Sequence, residues 1–439
     1  MATPIDINLI NNLWVLVAGV LVFTMTISVG LLELGELSEG YARSLAKSML
    51  IVGSAFFFMS FLGFDTAFAP TIAGIIGNPI YNGLFLGGFD PNATGVLTGI
   101  WWSMGSAYFS TGLTVGTYFL FETAFASVTL ALVSVVVLKK VRLDSFMLYS
   151  IAYFIIIWNL PAAWIWNPTG WLYLLGVRDF AGGLVVHGAA GAAGLAFLHR
   201  TWREEKKMGF KKSVEIPVKV DPGWLTVSIS LLWLGWFGFN PGSVLAFNSS
   251  AMTVVLTTFL AASSAMLSTM VVRYSETENL GERTDIANGI LMGLIVITPV
   301  AGFVSPAGAV ILGLIAGPLY IFASSQAEKF KWFTDPVGLL PGHMVGGVFG
   351  LLMIAFFTQK EYAAASGNAT LPNGLFFGGG LSALYQLGLE IFAAIVVIIT
   401  VFVLSWIVLE IIALITHGIT TDYRKMGLIK EHTTASSSR

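Results

Sequence analysis

Two histidines stand in matching surroundings. The stretch DFAGGLVVHGAAGAAG places Asp179, His187, Gly191 and Gly194 at the spacing that DPVGLLPGHMVGGVFG repeats with Asp335, His343, Gly347 and Gly350. A neutral imidazole carries one donor and one acceptor nitrogen, so two facing rings can bond each other, bind a small polar solute or relay a proton. The glycines four and seven residues after each histidine share its helical face and let two helices approach closely. Eight residues at about 1.5 Å each carry a ring about 12 Å from its aspartate. Two such helices entering an apolar layer about 30 Å thick from opposite sides bring their rings together near its middle. Ionisable groups at that depth are usually functional. The alternatives are a structural bond between helices and a zinc site, for which two histidines without cysteine or an evident third ligand form a poor set.

A second constellation is aromatic. FETAF supplies Glu122 and Phe125, a later segment supplies Trp164 and Trp166, and GWFGFNPGS supplies Phe239, Asn240 and Ser243. A Trp or Phe face attracts a cation by about 0.5–2 kcal/mol, more as water is removed; an ordinary interfacial aromatic belt is the plainer explanation of the same residues. Asp65, Glu122 and Asp179 fall toward the same side and would concentrate small cations there. Asp179 and Asp335 also fit a structural role, since a carboxylate beside a helix start accepts its free amides.

The elements that must position these groups are membrane spans. Of the 439 residues 56% are hydrophobic and 10% charged, with a mean hydropathy of +0.82, against about 25% charged in soluble proteins. A net charge of −2 without one broad basic patch gives no nucleic-acid signature, and the absence of cysteine removes disulfides, thiolate metal sites and cysteine nucleophiles. Continuous apolar runs predict eleven helices, at 12–34, 42–68, 116–138, 145–166, 179–198, 222–243, 251–274, 287–304, 306–324, 335–357 and 389–416. Alternate loops hold all but Arg178 and Lys360 of the 22 basic residues, which predicts an external N-terminus and a cytoplasmic C-terminus. The two histidine segments lie five spans apart and so cross in opposite directions. The expected fold is therefore an all-α integral membrane protein of eleven transmembrane helices: a five-plus-five inverted repeat, about 12–198 and 222–357, with an added eleventh helix at 389–416. The transmembrane domain covers 1–416 and a cytoplasmic tail 417–439.

Taken together in this order, FETAF, DFAGGLVVH, GWFGFNPGS, ITPVAGFVSPAGA and the second Asp and His pair resemble the ammonium transporter family that includes the Amt, Mep and Rh proteins, over essentially the whole chain. The resemblance implies a multi-pass protein of the cell membrane, a homotrimer with one pore per subunit, and ammonium or ammonia as substrate. It implies an ammonium recruitment site at Phe125, Trp166 and Ser243, a gate at Phe125 and Phe239, and a pore pair at His187 and His343. Asp179 looks like the family's structural, indirect acidic residue. Asp335 and Glu122 are read as structural or indirect too, Glu122 standing where many relatives have Gln. The family's partners include a signal-transducing regulator of the PII type. The tail keeps Gly427-Leu428 and Glu431-His432 but lacks the acidic and glycine residues that usually surround them, which weighs against that partner here.

The mechanism expected is recruitment of the ion at the outer aromatic site, loss of its proton near the gate, and passage through an apolar pore past the twin histidines. The rival expectation keeps the site but makes the chain an ammonium sensor that signals through its C-terminus with little transport. No cofactor is expected, and no nucleophile, metal cage or cofactor motif suggests an enzyme.

Overall fold

The computed structural model describes residues 7–37, 40–87, 112–217, 219–278 and 283–429. Eleven helical runs dominate it: α1 Ile7–Leu37, α2 Ala42–Phe68, α3 Val115–Ser134, α4 Leu143–Ile165, α5 at 183–207, α6 Pro222–Gly242, α7 Ser249–Thr277, α8 Arg283–Ile297, α9 Pro306–Ala327, α10 Leu339–Phe357 and α11 Gly380–Ile415. All of these except α5 and α8, nine helices among the described residues, are long and apolar enough to cross a membrane. A two-stranded ribbon, Thr71–Ile72 against Ile76–Gly77, and an isolated bridge between Val141 and Thr420 are the strand pairings among the described residues. Residues 430–439, which hold Glu431 and His432 of the tail, lie outside the described residues.

Local chemistry sets the helix starts. Thr114, Asn248 and Ser305 each accept an amide of the first turn with the side-chain oxygen, and Asp221 accepts those of Gly223 and Trp224. Pro222 and Pro306 occupy first-turn positions, where a missing N–H costs nothing.

Several boundaries differ from expectation for physical reasons. The run 287–304 ends as α8 at Ile297, because Thr298 and Pro299 open a turn in which the Pro299 carbonyl accepts the amide of Phe180. The run 116–138 ends at Ser134 and continues as tight turns to Lys140. The last helix starts at Gly380, nine residues before the expected 389, since no proline or charge interrupts GLSALYQLG. Helices α5 and α10 begin four residues after their aspartates, which stand outside as acceptors.

Small residues bring the helices close. A Cβ at Gly235 or Gly238 of α6 would strike Met25 or the Ala18 carbonyl of α1, and one at Gly313 or Gly317 of α9 would strike Ser264 or Ser268 of α7. On the outside of α11, Ile391, Ile395, Ile399, Val403, Ile407 and Ile411 form an exposed apolar stripe at helical spacing, as a lipid-facing surface requires.

One end of the bundle gathers the basic loops and the tail. The Lys140 ammonium meets Glu205 at 3.0 Å and Ser213 at 2.8 Å, and the Tyr423 hydroxyl donates to the same Glu205 at 3.0 Å. Burial lowers the pKa of Lys140 while Glu205 opposes the shift. Glu204 accepts the amides of Ile419 and Thr420, which fastens the start of the tail to the end of α5.

Candidate functional site

The two histidine helices open in the same unusual way. Asp179 Oδ1 accepts the amides of Gly182 and Gly183, and its Oδ2 those of Leu184 and Val185, at 2.7–3.1 Å. Asp335 accepts the amides of Leu339 and Leu340 at 2.9 and 2.7 Å. Gly182, at φ +108°, and Gly338, at φ +73°, lie in the left-handed region between each aspartate and its helix. Both helices then start with a wide turn, Gly183–Gly188 and Leu339–Met344, bonded five residues apart instead of four. Each wide turn contains the histidine.

The turns bring the imidazoles together. His187 Nδ1 lies 3.1 Å from His343 Nδ1, with ring centroids 5.2 Å apart, and both side chains are buried. One proton between the two Nδ1 atoms makes one ring a donor there and leaves its Nε2 bare, while the neutral partner must carry its hydrogen on Nε2. His187 Nε2 has no partner among the described residues. The helices cross where a Cβ at Gly347 would collide with the Gly183 carbonyl and His187 Cβ, and one at Gly191 with Met344.

The rings border an apolar chamber of about 20 Å³, lined by Met25, Val29 and Leu32 of α1, Val128 and Leu132 of α3, and Trp236 and Phe239 of α6 among others. One water-sized molecule needs about 10–15 Å³ by this measure. His187 stacks parallel to both Trp236 and Phe239, at 6.0 and 5.9 Å. Phe239 in turn lies 4.4 Å, ring to ring, from Phe125. Phe125 faces a larger cavity of about 270 Å³, whose lining also includes Tyr118, Glu122, Trp166, Arg178, Asp179 and Ser243. The Phe125 and Phe239 rings therefore stand between this entrance cavity and the histidine chamber. A further cavity, of about 570 Å³, lies at the Asp335 end and is bordered by Tyr320, Asp335 and Lys331.

Of the expected site residues, the structure brings His187, His343, Phe239 and Phe125 into one file, with Trp166 and Ser243 on the wall of the entrance cavity. Trp166 packs edge-on to Phe125 at 5.7 Å and donates from Nε1 to the Asp179 carbonyl. Ser243 lines the cavity and donates to the Phe239 carbonyl at 2.9 Å, which leaves its oxygen able to accept a hydrogen bond. Trp164 is not in this wall: its Nε1 donates to the Ile75 carbonyl and its ring packs on Trp171. Asp65, expected to help concentrate cations there, is likewise elsewhere, with both oxygens accepting from Asn82. Trp236 and Phe121, which packs on Phe125 at 4.8 Å, were not singled out from sequence. Their signal was the helical spacing of GWFGF and FLFETAF, where Trp236 three residues before Phe239 and Phe121 four before Phe125 share the face of those rings. Arg178 was also missed as a cavity residue. Its guanidinium donates to the Tyr173 and Val177 carbonyls and lies 4.1 Å above the Tyr173 ring. Burial lowers its pKa from the ordinary arginine value, opposed by Tyr173 and Glu390.

Comparison with known proteins gives a consistent result. The model of the Ammonium Transporter Family matches residues 13–432. An ammonium transporter of Aquifex aeolicus is 30% identical over 363 residues, 81% of this chain and 79% of that protein. Ammonium transporter Amt1 of Archaeoglobus fulgidus is 30% identical over 364 residues, 81% and 83% of the two chains. Among solved structures, one described as a sensor Amt protein superposes with a TM-score of 0.79 at 25% identity, covering 98% of this chain and 99% of that one. Saccharomyces cerevisiae Mep2 superposes at 0.77 and 25% identity, covering 93% and 86%.

Proposed function

The chain belongs to the ammonium transporter family and is a multi-pass membrane protein, and from that premise we propose that it moves ammonium across the membrane as ammonia, through the file from Ser243 to His343. The observation that carries this is the Nδ1 contact between His187 and His343 beside a chamber of one-molecule size, with two phenylalanine rings between it and the entrance cavity.

The division of labour follows from magnitudes. A cation at the centre of a bilayer costs at least about 2.5–3.5 kcal/mol and by some estimates more than 10, while each aromatic contact returns about 0.5–2. Phe125, Trp166 and the Ser243 hydroxyl can hold the ion at the entrance but cannot carry its charge onward. Beyond the gate the ion therefore continues as the neutral base. The histidine pair supplies a bare Nε2 that accepts a hydrogen bond and an Nε2–H that donates one. A proton arriving at the bare nitrogen, a shift of the shared proton between the Nδ1 atoms and release from the far Nε2–H would relay one proton along the pair. Potassium can use neither step, which gives selectivity.

The same proposal includes the orientation and assembly: eleven spans with the N-terminus outside and the tail inside, two inverted five-helix repeats, and a homotrimer. The gathering of Lys140, Lys331 and the tail at one end of the bundle supports the orientation. Asp179 and Asp335 act as structural caps.

One observation favours a second reading, that of an ammonium sensor: the solved sensor Amt protein covers nearly the full length of this chain and of its own. Purified protein in a supported bilayer, pulsed with ammonium and with potassium, separates the two. Ammonium-evoked current supports transport; saturable binding without current supports sensing, and neither current nor binding rejects both.

A further inference from the structure

The wall of the entrance cavity holds a carboxyl group with a spare acceptor. Glu122 sits on α3 three residues before Phe125, lines the cavity and is 5% exposed. Tyr118, one turn earlier on the same helix, hydrogen-bonds its carboxylate, and Glu122 Oε2 has no hydrogen-bond partner among the described residues. The other charged groups of the lining are already engaged. Asp179 has both oxygens on backbone amides, and Arg178 directs its terminal nitrogens to Tyr173, Val177 and Thr370.

We infer that Glu122 is a direct ligand of the ammonium ion, its Oε2 accepting an N–H from an ion that also meets Phe125, Trp166 and the Ser243 oxygen. This inference rests on the entrance cavity being where ammonium is held. A buried carboxylate oxygen left without a donor is costly, and a cation with N–H groups supplies both the donor and the countercharge. The Tyr118 bond fixes one side of the carboxylate, so the other oxygen is presented in one direction. Phe and Trp faces attract any cation, whereas an acceptor at a fixed position on each side of the ion favours one that donates tetrahedrally. Glu122 thus adds charge and direction to a site that the aromatic rings alone leave unselective.

The test is the ammonium dependence of current in supported bilayers, with calorimetric titration of ammonium chloride into the purified protein as a second readout. Glu122→Gln keeps shape and the bond to Tyr118 but removes the charge. It should raise half-saturating ammonium by about tenfold or more, with maximal current within about twofold of wild type. Tyr118→Phe keeps the carboxylate and should shift half-saturation by less than about threefold. Equal half-saturation in wild type and Glu122→Gln overturns the inference, as does an equal loss in Tyr118→Phe, which would make Glu122 a support for Tyr118. If Glu122→Gln carries no current, an unchanged dissociation constant overturns it as well. A wild type that neither binds nor conducts ammonium defeats the transport and sensing readings together with this one.

Discussion

Asp179 and Asp335 grip their helices in the same register: in each, Oδ1 accepts the amide four residues ahead and Oδ2 the amide five residues ahead. Asp179 adds the amides of Gly182 and Val185, so the first copy is held by four bonds and the second by two. The grip fixes the wide turns and, through them, the spacing of the histidines.

Removal of these carboxylates should therefore destabilise unequally. Asp179→Ala is expected to cost about 3 kcal/mol, because it strands several buried amides, and Asp335→Ala about half as much. Thermal unfolding of the purified variants measures both, and an equal or reversed order contradicts the bond count.

His187 and His343 replaced together by apolar residues should lose ammonium-evoked current or gain potassium current, since no ring remains to bind the base or pass its proton. Recordings with each cation read the result directly. Unchanged current and selectivity would falsify the relay.

Ser243→Ala removes the only hydroxyl in the proposed recruitment set while leaving the backbone free to keep its helix turn. Half-saturating ammonium should rise about three- to tenfold, as expected for loss of one hydrogen bond to a charged group, with little change in maximal current.

Gly347→Val should abolish activity, because the added atoms meet the Gly183 backbone and the His187 Cβ, neither of which can move without parting the rings. Gly194→Ala, on the other hand, meets the methyl end of the Leu339 side chain, which can turn aside, and should keep a measurable part of the activity. Uptake of ammonium into vesicles ranks the pair; equal activity would mean that the close crossing is not what sets the histidine contact.

Much of this arrangement was legible because it is carried by spacing. The repeat of Asp, His and two glycines at equal intervals pointed to paired helices, and the two rings do meet, at 3.1 Å, although each helix starts four residues after its aspartate. Gly182 and Gly338 share that register, three residues after each aspartate, yet escaped notice because a glycine's left-handed role depends on φ, which no pattern of hydrophobicity reports. Trp164 and Trp166 are indistinguishable by composition; a two-residue offset turns one toward the Ile75 carbonyl and the other into the cavity wall. Asp65 looked like a cation attractor because its partner, Asn82, lies beyond the end of its helix in a connecting segment whose path the sequence does not dictate.

The chamber beside the histidines holds about 20 Å³, less than a tenth of the roughly 270 Å³ on the far side of the phenylalanines. Its walls include Leu, Val, Met, Trp and Phe side chains, and the space they leave is about that of one water-sized molecule. On the proposed route two sieves would stand in series: the wide antechamber would sort by charge and admit alkylated amines, and the narrow cell would sort by girth and hold them back. Methylammonium should accordingly compete for entry far better than it crosses.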